Sequence, residues 1–328
     1  MKAIRIHEDG GPEVLRYEDA PDPEPGAGEV LVRMRAASLN HLDIWVRKGL
    51  PSVPKPRILG ADGAGVVEAL GEGVTGIDVG QSVVINPGVE QPDGTIHVIG
   101  EHSEGVHAEL AAVPATNVYP LDPGLSVEEA AAFPLVFETA HRMLVSRANL
   151  QAGEWVLIWG IGGGVATAAL QTAKALGAHT IVTSSSDAKL RRAAELGADA
   201  TVNHGTGDVA AAVKEVTGAG ADVVLETVGE ATWTRSLQAA RPGGRIAVCG
   251  ATSGPNPPAS LHRVWWKQLT ILGSTMGTRE DFEGAYELVK DGAGPVIDRV
   301  LPLADARAAH ERLEAGEQFG KIVLAVPG

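Results

Sequence analysis

Residues 154–166 read EWVLIWGIGGGVA, an apolar run that leads directly into four closely spaced glycines. An alanine-rich stretch, Thr167–Leu176, and a second apolar run, His179–Thr183, follow it. This order predicts a strand, a glycine turn, a helix and a second strand. Glycines let the backbone approach phosphate oxygens, and a helix N-terminus offers unpaired N–H donors with a favourable dipole. The segment therefore predicts a dinucleotide pyrophosphate site, with Ala166 in place of the last glycine of the fingerprint.

Composition narrows the class of protein. A length of 328 residues suits two domains, and 44% hydrophobic residues are enough for two cores. A net charge of −14 argues against a general binder of nucleic acid or of anionic membranes. The single cysteine, Cys249, excludes a disulfide framework and a multi-cysteine zinc site. Neither a signal peptide nor a membrane span is evident, so we expect a cytoplasmic protein. We also expect a small-molecule substrate, which these bulk properties do not identify.

The chain changes its rhythm near residue 120. Before that point, short β-rich segments are separated by Gly and Pro, which predicts a small antiparallel, barrel-like domain. These segments are Ala3–Ile6, Glu29–Ala36, Gly65–Ala69, Gln81–Ile85 and Val106–Val113. Ser126 and Glu129 then have the spacing of a capping box, which predicts the start of a helix that Pro134 ends or kinks.

After Gln151, predicted strands and helices alternate strictly. This alternation predicts an α/β domain with a doubly wound parallel sheet and helices on both faces. The predicted strands are Trp155–Trp159, Thr180–Thr183, Ala200–Asn203, Val223–Thr227 and Arg245–Val248, with Thr270–Gly273 as a sixth candidate. The last fifty residues contain a helical pattern, Glu280–Lys290, and a short final strand, Lys321–Ala325.

The end of the second strand indicates which dinucleotide is bound. NAD sites place an Asp or Glu there to hold the ribose hydroxyls. This chain has Ser184, Ser185 and Ser186 instead, and Asp187 is better explained as a cap of the next helix. Three hydroxyls and Lys189 suit a 2′-phosphate, so we favour NADP(H) over NAD(H). The alternative is a serine-rich turn with a solvated lysine.

Other strand ends meet the same edge of the sheet, where ligands of parallel sheets bind. They are Asn203–His204, Thr227–Gly229 and Cys249–Ala251. Val228 and Gly250 are therefore expected beside the cofactor, since small residues let a ribose or nicotinamide approach the backbone. Cys249 is interpreted as a small strand-end residue rather than a nucleophile, because no base is evident next to it.

Several motifs along the whole chain resemble the medium-chain dehydrogenase/reductase superfamily. They are Val30–Asn40, His41–Asp43, Leu59–Gly65, the glycine turn, Lys267–Thr275 and Phe319–Leu324. The resemblance implies an α/β protein with a Rossmann doubly wound parallel sheet domain and a GroES-like β-barrel domain. It implies that residues 1–122 and 268–328 form the discontinuous, catalytic GroES-like domain and that residues 123–267 form the NADP-binding Rossmann domain.

The superfamily divides according to zinc, and this chain lacks the zinc ligands. Zinc-dependent members have a cysteine where this chain has Asn40, a His-Glu pair at Ala61-Asp62, and a Cys or His near Leu135. The loop that would hold the structural zinc is shortened to Asn86–Thr95 and has no cysteine. The chain thus resembles the zinc-independent quinone oxidoreductase-like and enoyl reductase-like branch, in which NADPH delivers hydride to a quinone or an α,β-unsaturated carbonyl.

One other metal site stays open as an alternative. His97, His102 and His107 are spaced five residues apart around Glu101 and Glu104. That spacing does not place the three rings on one helical face, and the segment resembles a loop that enters a strand. We therefore favour ordinary surface or hydrogen-bonding histidines and predict no metal.

The resemblance also implies the catalytic residues. Asn40 would face the nicotinamide and hydrogen-bond the substrate oxygen, and Asp43 would orient a neighbour or the cofactor ribose. Trp45 takes the place of a tyrosine found in some members, and it can stack but cannot act as an acid. The proton donor therefore stays open between His41 and water. His41, Trp45 and Trp266 are expected to line the substrate pocket.

Further cofactor contacts follow from the resemblance. The residues equivalent to Thr139 and to Thr275, Met276 and Gly277 lie beside the nicotinamide, Val165 lies behind its ring, and Lys321 lies near the cofactor. The full predicted cofactor-binding set is Thr139, Gly162, Gly163, Gly164, Val165, Ser184, Ser185, Ser186, Lys189, His204, Val228, Gly250, Thr275, Met276, Gly277 and Lys321.

Two other functions stay open as alternatives. The first alternative is an alcohol or aldehyde dehydrogenase of the same superfamily. The second is a weakly catalytic NADPH-binding sensor or structural protein, suggested by the missing acid residue. A homodimer or homotetramer is expected by analogy alone.

Overall fold

The computed structural model describes residues 1–327 and divides the chain into two units. The first contains Met1–Leu135 and a C-terminal segment that begins at Gly294, and the second is Val136–Ala293. The predicted discontinuous arrangement is thus present. Its predicted boundaries, at 122/123 and 267/268, differ from the observed ones.

Both boundary errors have a structural reason. Residues 123–135 stay with the first unit because the helix Val127–Ala132 packs on its strands and the Leu135 N–H donates to Asp62. Residues 268–293 belong to the second unit because the strand Thr270–Gly273 pairs in parallel with the strand that ends at Val248. A strand that is hydrogen-bonded within a sheet belongs to the same unit as that sheet.

The strands, in chain order, are β1 (Lys2–Ile6), β2 (Arg16–Asp19), β3 (Glu29–Ser38), β4 (Arg57–Ile58), β5 (Asp62–Leu70), β6 (Ser82–Ile85), β7 (Gly88–Glu90), β8 (Ile96–Val98), β9 (Leu110–Pro114), β10 (Val118–Pro120), β11 (Trp155–Ile158), β12 (His179–Ser184), β13 (Ala200–Asn203), β14 (Ala221–Glu226), β15 (Ala240–Val248), β16 (Thr270–Gly273), β17 (Ile297–Pro302) and β18 (Lys321–Ala325). The helices are α1 (His41–Arg47), α2 (Val127–Ala132), α3 (Pro134–His141), α4 (Gly164–Ala175), α5 (Asp187–Glu195), α6 (Val209–Thr217), α7 (Trp233–Ala239), α8 (Leu261–Trp266), α9 (Arg279–Lys290) and α10 (Ala306–Glu314).

The first unit is built around the long strand β3, which pairs antiparallel with β5, β9 and β18. Its alternating positions Val30, Val32 and Met34 are fully buried, as expected for a strand with one face in a core. The main sheet has the order β10-β6-β5-β3-β18-β17, and a second sheet has the order β2-β1-β4. This arrangement confirms the predicted barrel-like domain.

The end of β3 is the point at which three strands bring distant residues together. Ser38 is the register partner of Asp62 on β5 and of Val323 on β18. Because β18 runs antiparallel to β3, Lys321 lies just beyond Ser38, on the side where the chain continues to Asn40. The Leu39 N–H donates to the Ile322 carbonyl oxygen at 3.0 Å, which fixes this register.

The second unit has one six-stranded sheet, β13-β12-β11-β14-β15-β16, in which every pairing is parallel. Leu157, Ile181, Val224 and Ile246 from its four central strands are fully buried. The centres of these interior strands are apolar because helices cover both faces of such a sheet. The doubly wound domain is therefore confirmed, and its six strands match the predicted ones, although β15 begins five residues earlier than predicted.

Some local signals are observed where they were predicted, and others are not. Ser126 and Glu129 form the capping box of α2, which ends at Ala132, and Pro134 begins α3. The predicted strand Val106–Val113 shortens to β9, because the N–H groups of Val106 and His107 donate to the irregular segment Leu59–Gly60. Among the described residues, no helix is long and apolar enough to cross a bilayer.

Candidate dinucleotide site and polar cluster

The glycine turn lies between β11 and α4, as predicted. Gly162 has a φ of +114°, a conformation that strains any other residue. Gly163 is the N-cap of α4 and has no side chain to satisfy the first N–H groups of this twelve-residue helix. Gly164 and Val165 form its first turn. These backbone donors and the helix dipole are the features that bind a pyrophosphate.

Lys189 lies directly against this turn. A Cβ atom built on Gly162 would be 2.8 Å from Lys189 Cδ and 3.2 Å from its Nζ. The lysine therefore crosses from α5 to the glycine turn and places a positive charge beside the phosphate-binding backbone. A cation at this position favours a phosphate-bearing ligand through charge-assisted hydrogen bonds.

The serines at the end of β12 have different environments. Ser184 is buried and accepts from the Ser186 N–H at 3.1 Å, whereas Ser185 is exposed. Ser186 is the N-cap of α5 and accepts from the Lys189 N–H. The interpretation of Asp187 as the cap is thus wrong by one residue. Its carboxylate instead accepts from Asn203 Nδ2 at 2.6 Å, because Asp187 is the first residue within the helix.

His204 follows β13 at the same edge of the sheet. Its Nδ1 is 3.3 Å from Thr183 Oγ1, and its ring lies 6.1 Å from the ring of Trp159. Partial burial, with the nearby charge of Arg235, lowers the pKa of His204. The Arg235 guanidinium is 5.3 Å from the centre of the Trp159 ring and adds a second cation at this edge. The sequence analysis missed Arg235, because it lies inside α7 and belongs to no motif.

A buried carboxylate, also missed, holds the loop that contains Val228. Glu226 ends β14, and its Oε1 accepts from the N–H groups of Val228 and Gly229 at 2.8 and 3.0 Å. Its Oε2 accepts from Ser236 Oγ at 2.5 Å. These bonds fix the loop after β14. Burial, together with the charge of Glu226, raises the pKa of Cys249 to about 12, so the thiol is protonated at neutral pH and is no nucleophile.

The predicted nicotinamide contacts of the second unit form a second group. Gly277 packs against the Glu138 side chain on α3, so the loop of Thr275 and Met276 lies against the helix that contains Thr139. Gly250 follows β15, and a Cβ there would be 3.1 Å from the Thr227 carbonyl oxygen. The contact of these residues with a nicotinamide stays a prediction.

The first unit contains a polar cluster at the end of β3, formed by Asn40, Asp62 and Lys321. The Asp62 side chain is fully buried and that of Lys321 is 3% exposed. Lys321 Nζ donates to Asn40 Oδ1 at 2.5 Å and to Asp62 Oδ2 at 2.9 Å. Asn40 Nδ2 donates to the same Asp62 oxygen at 2.9 Å. The three side chains thus bond one another in a closed triangle.

Two further donors complete the environment of Asp62. Ser38 Oγ donates to Oδ2 at 3.3 Å, and the Leu135 N–H donates to Oδ1 at 2.8 Å. Every donor to this carboxylate therefore comes from the end of β3, from Lys321 or from the start of α3. The sequence predicted Lys321 near the cofactor and gave no role to Asp62. The two residues become neighbours only through the pairing of β3 with β5 and with β18.

Asp43 connects the cluster to the segment before β5. Its Oδ2 accepts from the Asn40 N–H at 2.7 Å and its Oδ1 from the Gly60 N–H at 3.1 Å. Burial raises the pKa of Asp43, and the charge of His107 opposes this shift. Both oxygens bind the backbone, so the observed contacts are those of a residue that positions Asn40. This agrees with one of the two roles considered for Asp43.

The predicted pocket residues belong to different units of the chain. His41 begins α1, and burial, with the charge of Lys321, lowers its pKa. Its ring is therefore neutral at physiological pH. Trp45 is half-buried on the same helix. Trp266 belongs to the second unit, is 70% exposed on α8 and stacks with His262, so its place in a substrate pocket stays a prediction.

The three spaced histidines do not form a common site. The rings of His97 and His102 stack with their centres 4.3 Å apart, and His102 Nδ1 accepts from the Val98 N–H. His107 is fully buried against Gly60, with its Nε2 3.3 Å from the Ser38 carbonyl oxygen. Within residues 1–327, no group of three or more His, Cys, Asp or Glu side chains has the arrangement of a metal site.

Comparison with known proteins gives full-length relatives. Residues 26–123 match the family model described as an alcohol dehydrogenase GroES-like domain, and residues 164–291 match the one described as a zinc-binding dehydrogenase. A quinone oxidoreductase of Pseudomonas aeruginosa is 35% identical, over 98% of this chain and 99% of its own. An acryloyl-coenzyme A reductase of Metallosphaera sedula is 31% identical, over 99% of both chains. The solved structure of an NAD-dependent alcohol dehydrogenase is 44% identical, with a TM-score of 0.96 and complete coverage of both chains.

The second family description includes zinc, and the residues of the polar cluster do not fit this metal. Zinc binds thiolate, imidazole or carboxylate in a tetrahedral set. Here the Asn40 oxygen and the Asp62 carboxylate both bind the ammonium of Lys321, and Leu135 has an isobutyl side chain. A cation already lies against these oxygens and would repel a second one. The glycine turn, in contrast, fits the pyrophosphate of a dinucleotide.

Proposed function

Because the chain belongs to the medium-chain dehydrogenase/reductase superfamily, in its quinone oxidoreductase-like branch, we propose that it is a zinc-independent, NADPH-dependent oxidoreductase. Its substrate would be a quinone or an α,β-unsaturated carbonyl compound. The observation that supports this proposal most is the triangle of Asn40, Asp62 and Lys321. The resemblance gives zinc-dependent members metal ligands at the positions of Asn40 and Asp62, and in this chain these two side chains bind the ammonium of Lys321 instead.

The chemistry requires a group that stabilises charge on the substrate oxygen. When bound, NADPH would supply a hydride to an electron-poor carbon of the substrate. The double-bond electrons then shift along the conjugated system, so that the carbonyl oxygen gains negative charge. An N–H of Asn40 would bind that oxygen as its negative charge develops. A proton from water then completes the reduction, because His41 is neutral and the enolate accepts a proton from solvent.

Preference for NADP(H) rests on charges at the edge of the parallel sheet. β12 ends at a serine rather than an acid, and the carboxylate of Asp187 binds Asn203. Lys189 lies at the glycine turn and Arg235 lies beside His204. Two cations at this edge suit a 2′-phosphate, which carries negative charge and accepts several hydrogen bonds.

A substrate panel tests the proposal. Purified protein would be assayed with a quinone, an enone, an aldehyde and an alcohol, each with the NADP and NAD forms of the cofactor. We expect the fastest turnover with NADPH and a quinone or enone, and no loss of rate after chelation. An alcohol oxidised fastest with NAD⁺, with activity lost on chelation, would refute the proposal. The same protein would be examined by analytical ultracentrifugation, where we propose a homodimer or homotetramer.

One comparison favours a second candidate function. The solved structure with 44% identity is of an NAD-dependent alcohol dehydrogenase. An alcohol dehydrogenase with the Asn40 cluster would need a base that removes the hydroxyl proton during oxidation. His41, whose pKa burial lowers, is the group next to the cluster that could accept this proton. A rate of alcohol oxidation that falls in His41→Gln, with quinone reduction absent, would favour this candidate.

A further inference from the structure

The buried charges of the polar cluster need an explanation beyond stability. Lys321 and Asp62 form an ion pair with side chains that are 3% and 0% exposed. Desolvation of two such charges offsets much of their attraction, so a buried pair is weak evidence for stabilisation of the fold. The pair also encloses the amide of Asn40 by bonding both of its ends. The contact of the ion pair with the Asn40 amide therefore indicates its role better than any contribution to stability does.

The two charges fix the orientation of the Asn40 amide. The ammonium binds its oxygen, and the carboxylate binds its nitrogen, at 2.5 and 2.9 Å. A flipped amide would place NH₂ against the ammonium and the carbonyl oxygen against the carboxylate, which gives two repulsive contacts in place of two bonds. One of the two amide N–H groups is used by Asp62. The other is left as a donor whose direction is set by the pair.

The rest of the fold holds the pair in place. Lys321 begins β18, whose register to β3 is fixed by the bond from Leu39 to Ile322. Asp62 begins β5 and also accepts from Ser38 and from the Leu135 N–H. The Asn40 backbone is held separately by Asp43. Backbone and side chain of Asn40 therefore have independent supports, as a preorganised donor requires.

We propose that Lys321, paired with Asp62, is a positioning residue that holds the Asn40 amide as a hydrogen-bond donor to the substrate oxygen. This inference rests on the proposed function only in requiring a carbonyl substrate. It gives Lys321 a role in turnover rather than in cofactor affinity. The ammonium keeps the amide oxygen turned away from the substrate, so the amide presents an N–H to the oxygen on which charge develops.

The test neutralises the pair while keeping its volume. Lys321→Met together with Asp62→Asn removes both charges and leaves no buried ion without a partner, so it tests the role without an unpaired charge. It is compared with Asn40→Ala and with the three changes combined. The matched control is Arg33→Met with Glu68→Gln, which neutralises a bidentate ion pair on β3 and β5 far along the same strands. Each variant is first checked by thermal unfolding.

The measured quantities are kcat and KM for the carbonyl compound that the wild type reduces fastest, and the NADPH dissociation constant from fluorescence. We expect the neutralised pair to lower kcat by about 10- to 100-fold, with NADPH affinity within about twofold of wild type. In the Asn40→Ala background, neutralising the pair should lower kcat by less than about threefold further, because the pair acts through the Asn40 amide.

Three outcomes would overturn the proposal. They are a folded double variant that keeps the wild-type kcat, a loss confined to NADPH affinity, and losses that multiply fully in the combined variant. The assignment of substrate is judged separately. If the wild type reduces an aldehyde and neither quinone nor enone, the proposed function fails, while the ratio of variant to wild-type kcat on that aldehyde still decides the role of Lys321.

Discussion

The two polar sites of this protein are built in opposite ways. At the glycine turn, the first N–H groups of α4 have no side-chain cap, and Lys189 lies beside them. In the polar cluster, the charges of Asp62 and Lys321 are buried and satisfied by each other and by Asn40. The first arrangement suits the binding of an anion. The second suits the orientation of a donor, which affects turnover. Changes at the two sites should therefore alter different kinetic constants.

The largest effect is expected from Asn40→Ala. Loss of the amide removes the donor to the substrate oxygen, and we expect kcat to fall by about 100- to 1000-fold. NADPH affinity should stay within about twofold of wild type, because the glycine turn is unchanged. Steady-state kinetics and a fluorescence titration measure the two constants. Equal losses in both would contradict a division of roles between the sites.

Gly162→Ala tests the other side of the comparison. A Cβ atom would strain a residue with a φ of +114° and would lie 2.8 Å from Lys189 Cδ. We expect the dissociation constant of NADPH to rise by about tenfold or more, and kcat at saturating NADPH to change little. Gly197→Ala is the matched control, since Gly197 also has a positive φ, of +96°, but has open space around it. A similar loss of affinity in both variants would mean that backbone strain, not the phosphate site, is responsible.

Lys189→Ala should have a smaller effect. Loss of one charge-assisted bond should lower the ratio of the NADH to the NADPH dissociation constant by about tenfold. Added salt should lower the same ratio in the wild type. Lys174→Ala, which removes an exposed lysine paired with Asp199 in the same unit, is the control. An unchanged ratio of the two dissociation constants in Lys189→Ala would exclude Lys189 from the 2′-phosphate site.

The smallest effect is expected at His41. Burial, with the charge of Lys321, lowers the pKa of its ring below the ordinary value, so the ring is mainly neutral at neutral pH. The kcat for carbonyl reduction should therefore show little titration by His41 between about pH 7 and 8. His41→Gln should leave the shape of this profile unchanged. A limb near neutral pH that disappears in His41→Gln would instead identify His41 as the proton donor.

The contrast also explains what could be predicted from the sequence. The glycine turn and the strands around it were predicted because each depends on residues that are close in the chain, through period, glycine spacing and apolar runs. The location of the cap was wrong by one residue, at Asp187 instead of Ser186, since either side chain is an accepted N-cap. Arg235 was missed because Trp159 and His204 become its neighbours only in the folded sheet. Glu226 was missed although Val228 and Gly229 are close to it in the chain, because a single acid at a strand end matches no motif.

The polar cluster was predictable in part. Asn40 was chosen by resemblance, and Asp62 and Leu135 were noted as positions without zinc ligands. The ion pair with Lys321 joins residues that are 259 positions apart, and it depends on the pairing of β3 with β5 and with β18. No local pattern contains that information. The unit boundaries failed for a similar reason, because β16 joins its sheet through hydrogen bonds to β15.

We propose that this protein transfers hydride without zinc, with an ammonium at the oxygens that would otherwise approach a metal. The most direct test is the zinc content of protein produced in zinc-supplemented medium, determined together with NADPH-dependent reduction of a quinone before and after chelation. We predict far less than one zinc per chain and an unchanged rate after chelation. One zinc per chain, with the rate lost on chelation and restored by zinc, would contradict it.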